Sequence, residues 1–237
     1  MFEIIKQVYL NSIFYDKKIS PKAIYELEYK PSSYLLSSIV KIKSKKFNID
    51  NFSYNNFWSD RELNQKQLQK LNNFYWLFSL DLKSSNKSVQ TVIKNWIEKN
   101  YKYNSKNWNF EVTSKRIISW LSNTVLTYDN AGDQYQKEYS SIIHKQTFHL
   151  INQIDKENKL DNKIRGAAAI ILVGLSYKNE KNFTTKGLEN LKKIIKYSID
   201  NNGFPKSRNI KSSVFFLKYL ILIREWFKES QSEIPNF

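Results

Sequence analysis

Between Gly166 and Gly174 the chain reads Gly-Ala-Ala-Ala-Ile-Ile-Leu-Val-Gly, with no polar side chain in any direction. Wound as a helix, such a segment must be covered on most of its sides. Extended to Leu175, the apolar run is still about half the length a bilayer demands, so protein has to supply the cover. Its small residues let neighbouring backbones come close. From Asn64 onward apolar residues recur with the helical period, which supplies partners. Leu68, Leu71, Tyr75, Leu77 and Phe78 mark a first helix running to about Leu82. Val89, Ile93, Trp96 and Ile97 mark a second over Ser88–Tyr101, and Ile117, Trp120, Leu121 and Val125 a third over Thr113–Tyr128. Further helices are expected over Tyr135–Ile154, Ile164–Tyr177, Thr185–Ile199 and Ser212–Phe227. The connections are short, as helical hairpins require. Five Gly and four Pro are too few for a sandwich or barrel of many tight turns. The expected fold is all-α, built of stacked helical hairpins as a solenoid or toroid.

The first sixty residues read differently. Phe2–Phe14 suits a short amphipathic helix. Ser20-Pro21 has the form of a helix start, with a capping hydroxyl and a proline in the first turn. Pro31-Ser32-Ser33 stops or restarts the chain. Ile42, Phe47 and Ile49 alternate weakly and suggest a short β element near 40–50, before an aromatic-containing polar loop over Asn51–Asp60. Residues 1–60 are therefore read as an N-terminal extension and 61–237 as the main helical domain.

Composition narrows the chemistry. The formal net charge is +16; of 38 basic residues 33 are lysine and five arginine, and asparagine occurs 26 times. Compositional drift and selection for an anionic partner explain that pattern about equally well. In either case the field attracts polyanions: nucleic acid, acidic polysaccharide or an anionic membrane surface. Cysteine is absent, which removes disulfides, thiolate nucleophiles and cysteine-based zinc sites. His144 and His149, five residues apart on one helix, point about 140° apart and suit no shared metal; both are expected at the surface or its boundary. No cofactor or metal is expected. No span long enough to cross a membrane and no secretory leader is read, which points to the cytoplasm.

Phosphate-cradling glycine loops, nucleophile elbows and zinc-binding helices are absent. Of the six tryptophans, Trp76, Trp96, Trp120 and Trp226 fall in helical stripes and suit core packing. Trp58 and Trp108 precede helices and suit a stacking platform for a sugar or base. In the segment Asn201–Asn209, Gly203 can stop a helix and Pro205 fixes an extended path. Arg208, like Arg116 and Arg165, is a rare arginine in a lysine-dominated chain and a candidate for bidentate recognition of a carboxylate or sulfate.

Several runs in order resemble the N-terminal region of the heparinase II/III-like family. They are Phe74–Asp81, Trp96-Ile97, Trp108 with Ser114–Leu121, His144–Leu150, Asp161–Leu175 and Asn201–Asn209. The resemblance runs from about Tyr34 to the C-terminus. It implies an incomplete α/α toroid, in the family followed by a β-sandwich, and cleavage of acidic polysaccharides by β-elimination. There the proton α to a uronate carboxylate is made removable by neutralising that carboxylate; a base takes it, and an acid, usually tyrosine, protonates the leaving glycosidic oxygen. Asn162 matches the neutralising asparagine. The neighbouring histidine position holds Lys163, the loop histidine position Pro205, and the tyrosine position falls near Ser212 and Ser213. The resemblance implies a sugar-binding groove lined by Asn162, Lys163, Lys206 and Arg208, with Arg116, Arg165, Trp58 and Trp108 as further contacts. It also implies a domain without its β-sandwich, catalytically incomplete alone, completed by a separately encoded partner, and a periplasmic or extracellular setting. A missing partner would leave an apolar patch larger than a few hundred Å² near the C-terminal helices. The alternative is a helical-repeat interaction protein whose basic face meets nucleic acid or another protein.

Overall fold

The computed structural model describes residues 2–23, 26–40, 64–80 and 85–236. Their regular structure is helical: α1 (Phe2–Leu10), α2 (Ile13–Ile19), α3 (Ser33–Val40), α4 (Gln65–Asn72), α5 (Asn86–Asn100), α6 (Phe110–Leu121), α7 (Thr124–Thr127), α8 (Asp133–Gln153), α9 (Leu160–Ser176), α10 (Lys181–Ser198) and α11 (Ile210–Glu229). Short 3₁₀ turns cover Tyr75–Ser79 and Ile154–Lys156. Isolated β-bridges, among them Leu27 with Tyr177 and Ile199 with Pro205, punctuate this pattern. The chain is all-α in that sense. The β element read near 40–50 and the loop after it fall on residues 41–63, outside those described.

Helix α9 is the centre. It packs against α6, α8, α10 and α11, and every residue from Ile164 to Gly174 is buried. Glycines set the spacing. A Cβ on Gly174 would collide with the main-chain nitrogen of Thr184 in α10, and one on Gly166 with the Phe110 ring of α6. From the other side, Gly187 of α10 lies flat against Ile171 and the Ala167 carbonyl. A Gly-Ala-rich helix forgoes intrinsic stability to gain this approach. A second cluster joins Phe74, Trp96 and Trp120 edge to face, with ring centroids 5.1–6.0 Å apart.

The abundant asparagines do structural work at helix starts. Asn64, Asn109 and Asn209 cap α4, α6 and α11 through side-chain oxygens that accept main-chain N–H bonds. Several readings need correction. The helix read over Phe2–Phe14 is split into α1 and α2 at Asn11–Ser12, and the one read over Thr113–Tyr128 into α6 and α7 at Ser122–Asn123. The helix expected to run to Leu82 breaks at Phe74, whose φ of +57° ends α4; Ser119 Oγ donates to the Phe74 carbonyl at 2.6 Å and holds the break. Nor does Ser20 start a helix: it closes α2, its hydroxyl donating to the Asp16 carbonyl, and the described residues from Pro21 to Ser32 form no helix. The described part of 1–60 shares the core of the rest, through Leu10, Tyr15, Ile19, Leu27 and Leu36.

Both histidines are buried, not at the surface. His144 Nδ1 bonds the Ser140 carbonyl at 2.7 Å, and its Nε2 lies 3.2 Å from Glu180. His149 Nδ1 and the Tyr15 hydroxyl share a hydrogen bond of 2.7 Å. Burial lowers its pKa from 6.5 to about 3, against a main-chain bond at Trp108 and with a smaller push from Arg116. The residues that bury them, Tyr15, Tyr177 and Phe183, come from segments distant in sequence, which local spacing does not reveal.

Two outcomes are expected. Gly174→Ala should cost about 1–3 kcal/mol in urea unfolding, because the Thr184 backbone cannot move aside, whereas Gly132→Ala, with nothing within 4 Å of its Cβ, should cost under ~1 kcal/mol. The second concerns pH. Between pH 6.5 and 3 unfolded His149 binds a proton that the folded ring refuses. Stability supplied by this residue is therefore complete above 6.5 and falls with pH below it, by up to ~1.4 kcal/mol per unit. Unfolding curves of His149→Gln should show a shallower acid-side slope than the parent.

Candidate functional site

The structure separates the residues proposed from sequence into distinct environments. Trp58 lies outside the described residues. Trp108 is buried, its indole N–H donating to the Asn100 carbonyl at 2.9 Å, so its ring faces are committed to the core, against Tyr103 and His149. Arg116 is fully buried. It donates to the Asn72 and Asn107 carbonyls at 2.9 and 3.0 Å, to Gln146 at 3.1 Å and to Thr113, and lies 4.1 Å over the Trp96 ring. It binds α4, α6, α8 and the Asn107 loop to one another. Arg116 was expected in the sugar groove; its buried guanidinium, with four hydrogen bonds to the protein, ties core segments together instead.

Arg208 and Lys206 sit in the loop between α10 and α11. Arg208 pairs with Asp200 at 2.7 Å with an exposed side chain, and Lys206 donates to the Lys196 carbonyl. Asp200 also accepts from the Phe204 and Asn202 amides; the Phe204 bond foremost, against slight desolvation and aided by Asn202 and Arg208, lowers its carboxyl pKa. Lys163 faces a shallow hollow of about 190 Å³ shared with Lys193, Ile194 and Tyr197 of α10. Asn162 and Arg208, expected to line one groove, have different partners: Asn162 bonds Arg165 and Arg208 pairs with Asp200.

Asn162 and Arg165 do come together, and four elements converge on them. One turn apart on α9, they bond through Arg165 Nη1 and Asn162 Oδ1 at 3.0 Å. Arg165 Nε donates to the Tyr219 hydroxyl of α11 at 3.1 Å. The guanidinium lies 5.1 Å over the Phe215 ring and 3.7 Å from Glu111 of α6. Glu111 in turn holds Lys115 one turn on, at 2.5 Å. The Tyr75 hydroxyl, from the 3₁₀ turn, is buried beside Tyr219, with Lys115 5.7 Å over its ring.

The electrostatics of the cluster are mutually supporting. Burial disfavours the Arg165 charge, yet Tyr219, Tyr75 and Glu111 outweigh it and raise its pKa. Burial likewise pulls the Glu111 carboxyl upward, but Lys115, then Arg165 and Lys159, hold it below the usual carboxylate range. Tyr75 is pushed well above an ordinary phenol, first by burial and then by Tyr219, against the attraction of Arg165. Two donors of the cluster, Asn162 Nδ2 and Arg165 Nη2, have no hydrogen-bond partner among the described residues.

Sequence reasoning named Asn162 and Arg165 but missed Tyr219, Tyr75 and Glu111. A signal for Tyr219 was present: it stands seven residues, two helical turns, beyond Ser212 and therefore on the same face of α11 as the expected tyrosine position. Tyr75 had none, because the left-handed Phe74 re-aims the residues after α4.

No protein-family model, curated protein or solved structure matches the chain.

The two arginines give contrasting expectations. Arg116→Leu should lower unfolding stability by at least ~3 kcal/mol, since buried carbonyls lose their donor. Arg208→Ala should leave the melting temperature unchanged within error, its ion pair being solvated.

Proposed function

We propose that the chain binds an acidic, uronate-containing or sulfated polysaccharide at the Asn162–Arg165–Tyr219 constellation, as the incomplete α/α-toroid part of a heparinase-like protein. The observation that carries this reading is the pair of uncommitted donors, Asn162 Nδ2 and Arg165 Nη2, fixed one turn apart beside a tyrosine hydroxyl. Two N–H donors, one of them charged, suit the two oxygens of a carboxylate. Donors placed there stabilise the charge that grows on a uronate when its α-proton leaves. Because Tyr219 accepts from Arg165, its own proton remains available for a leaving oxygen. Lys115 and Lys159 bring further positive charge to the Glu111 side.

The constellation supplies a neutraliser and an acid but no strong base: Glu111 has a lowered pKa, which weakens it as a proton acceptor. The base belongs to a further component, for which a separately encoded β-sandwich partner is our candidate. Ile210, Val214, Leu217 and Ile221 form an exposed apolar stripe along α11 that offers such a partner a seat.

Asn162→Asp discriminates sharply, because it keeps the oxygen that Arg165 bonds and replaces the donor with a repelling charge. Affinity for a polyuronate such as alginate should fall at least ~tenfold in this variant, with the melting temperature preserved. Any elimination, seen as new absorbance at about 232 nm, should disappear with it. Equal binding by parent and variant, or tight binding of single-stranded RNA with none of acidic glycans, would overturn the proposal and favour a nucleic-acid interaction protein.

A further inference from the structure

The N-terminal helices α1 and α2 carry apolar side chains on two sides, and Leu10, Tyr15 and Ile19 are the ones buried in the core. Two polar groups also face the protein. The Tyr15 hydroxyl reaches His149, and Asp16 pairs at 2.8 Å with Lys145, a buried lysine of α8 that also stands 4.0 Å over the Tyr101 ring. Five further apolar side chains face outward: Ile4, Ile5, Val8, Ile13 and Phe14 are 61–80% exposed. Single exposed apolar residues are ordinary, but five on adjoining turns make a patch on the order of several hundred Å². The inward pairings fix the orientation, since turning Phe14 inward would tear Asp16 from a buried ammonium.

The patch carries its own charge. Lys17 and Lys18 stand one turn beyond Ile13 and Phe14, on the same face of α2, exposed and without a carboxylate partner among the described residues. A ligand for this surface therefore needs an apolar phase and negative charge together. A second copy would bring four lysines, and two chains of +16, into contact. Nucleic acid and acidic polysaccharide would satisfy the lysines and leave Phe14 and Ile13 in water. An anionic bilayer satisfies both, because acyl chains lie just beneath its charged headgroups. No described helix is long and apolar enough to cross a membrane, so the contact is with one leaflet.

We propose that the α1–α2 surface docks on an anionic lipid bilayer, with Ile13 and Phe14 entering the headgroup region and Lys17 and Lys18 meeting the phosphates. This inference does not depend on the polysaccharide reading. The test uses the full chain and vesicles of phosphatidylcholine, with or without an equal part of phosphatidylglycerol. Sedimentation with the phosphatidylglycerol vesicles alone is expected, weakening as salt rises. Ile13→Ser with Phe14→Ser should lower partitioning at least ~tenfold; Lys17→Gln with Lys18→Gln should weaken it and flatten its salt dependence. All four positions are exposed, so melting temperatures should hold. The chain lacks cysteine, so a polarity-sensitive dye on Phe14→Cys should shift to the blue with the anionic vesicles, and one on Lys186→Cys of α10 should not. Absence of vesicle binding, undiminished binding by the Ile13 and Phe14 variant, or a lipid-free dimer that this variant dissociates would each overturn the proposal.

Discussion

The structure depends on how closely α9 can be approached. An apolar helix needs neighbours on most sides, and helices bearing ordinary side chains stand 8–10 Å apart. Here Gly166, Gly174 and the alanines between them remove the obstruction on one side of the contact, and Gly187 of α10 removes it on the other. The Thr184 backbone, the Phe110 ring and Ile171 occupy the space side chains would have taken. This contact also places the candidate site. Asn162 and Arg165 sit in the first turns of the same helix, so the packing that buries Ala167–Val173 positions their donors against α6 and α11.

Much of this architecture is legible in the sequence because helical periodicity reports a local property. The helices expected over Ser88–Tyr101, Tyr135–Ile154, Ile164–Tyr177, Thr185–Ile199 and Ser212–Phe227 are present, with ends displaced by a few residues. So is the central place of the Gly166–Gly174 segment. The failures occur where distant residues decide. Phe74 turns left-handed because Ser119, 45 positions away, takes its carbonyl. Ser20-Pro21 has the composition of a helix start but lies where the chain leaves α2 to pair Leu27 with Tyr177.

The site was half legible for the same reason. The rarity of arginine singled out Arg116, Arg165 and Arg208 without separating them, since rarity carries no information on depth. Burial and partners separate them: Arg116 ties four segments together inside the core, Arg208 stands in solvent beside Asp200, and Arg165 is buried at 7% exposure among Asn162, Tyr219 and Glu111. The outward-facing apolar side of α1 and α2 is different: a pattern of hydrophobic residues indicates a helix with two faces, and only the partners of Tyr15 and Asp16 show which one turns inward.

Native-state hydrogen exchange across α9 tests the central claim most directly. If that helix is the core against which the others are built, the amides of Ile170–Val173 exchange only through global unfolding, with a free energy equal to that from denaturant unfolding and above that of α1 and α4. Exchange of those amides through local opening, at rates like those of α1 and α4, would contradict it.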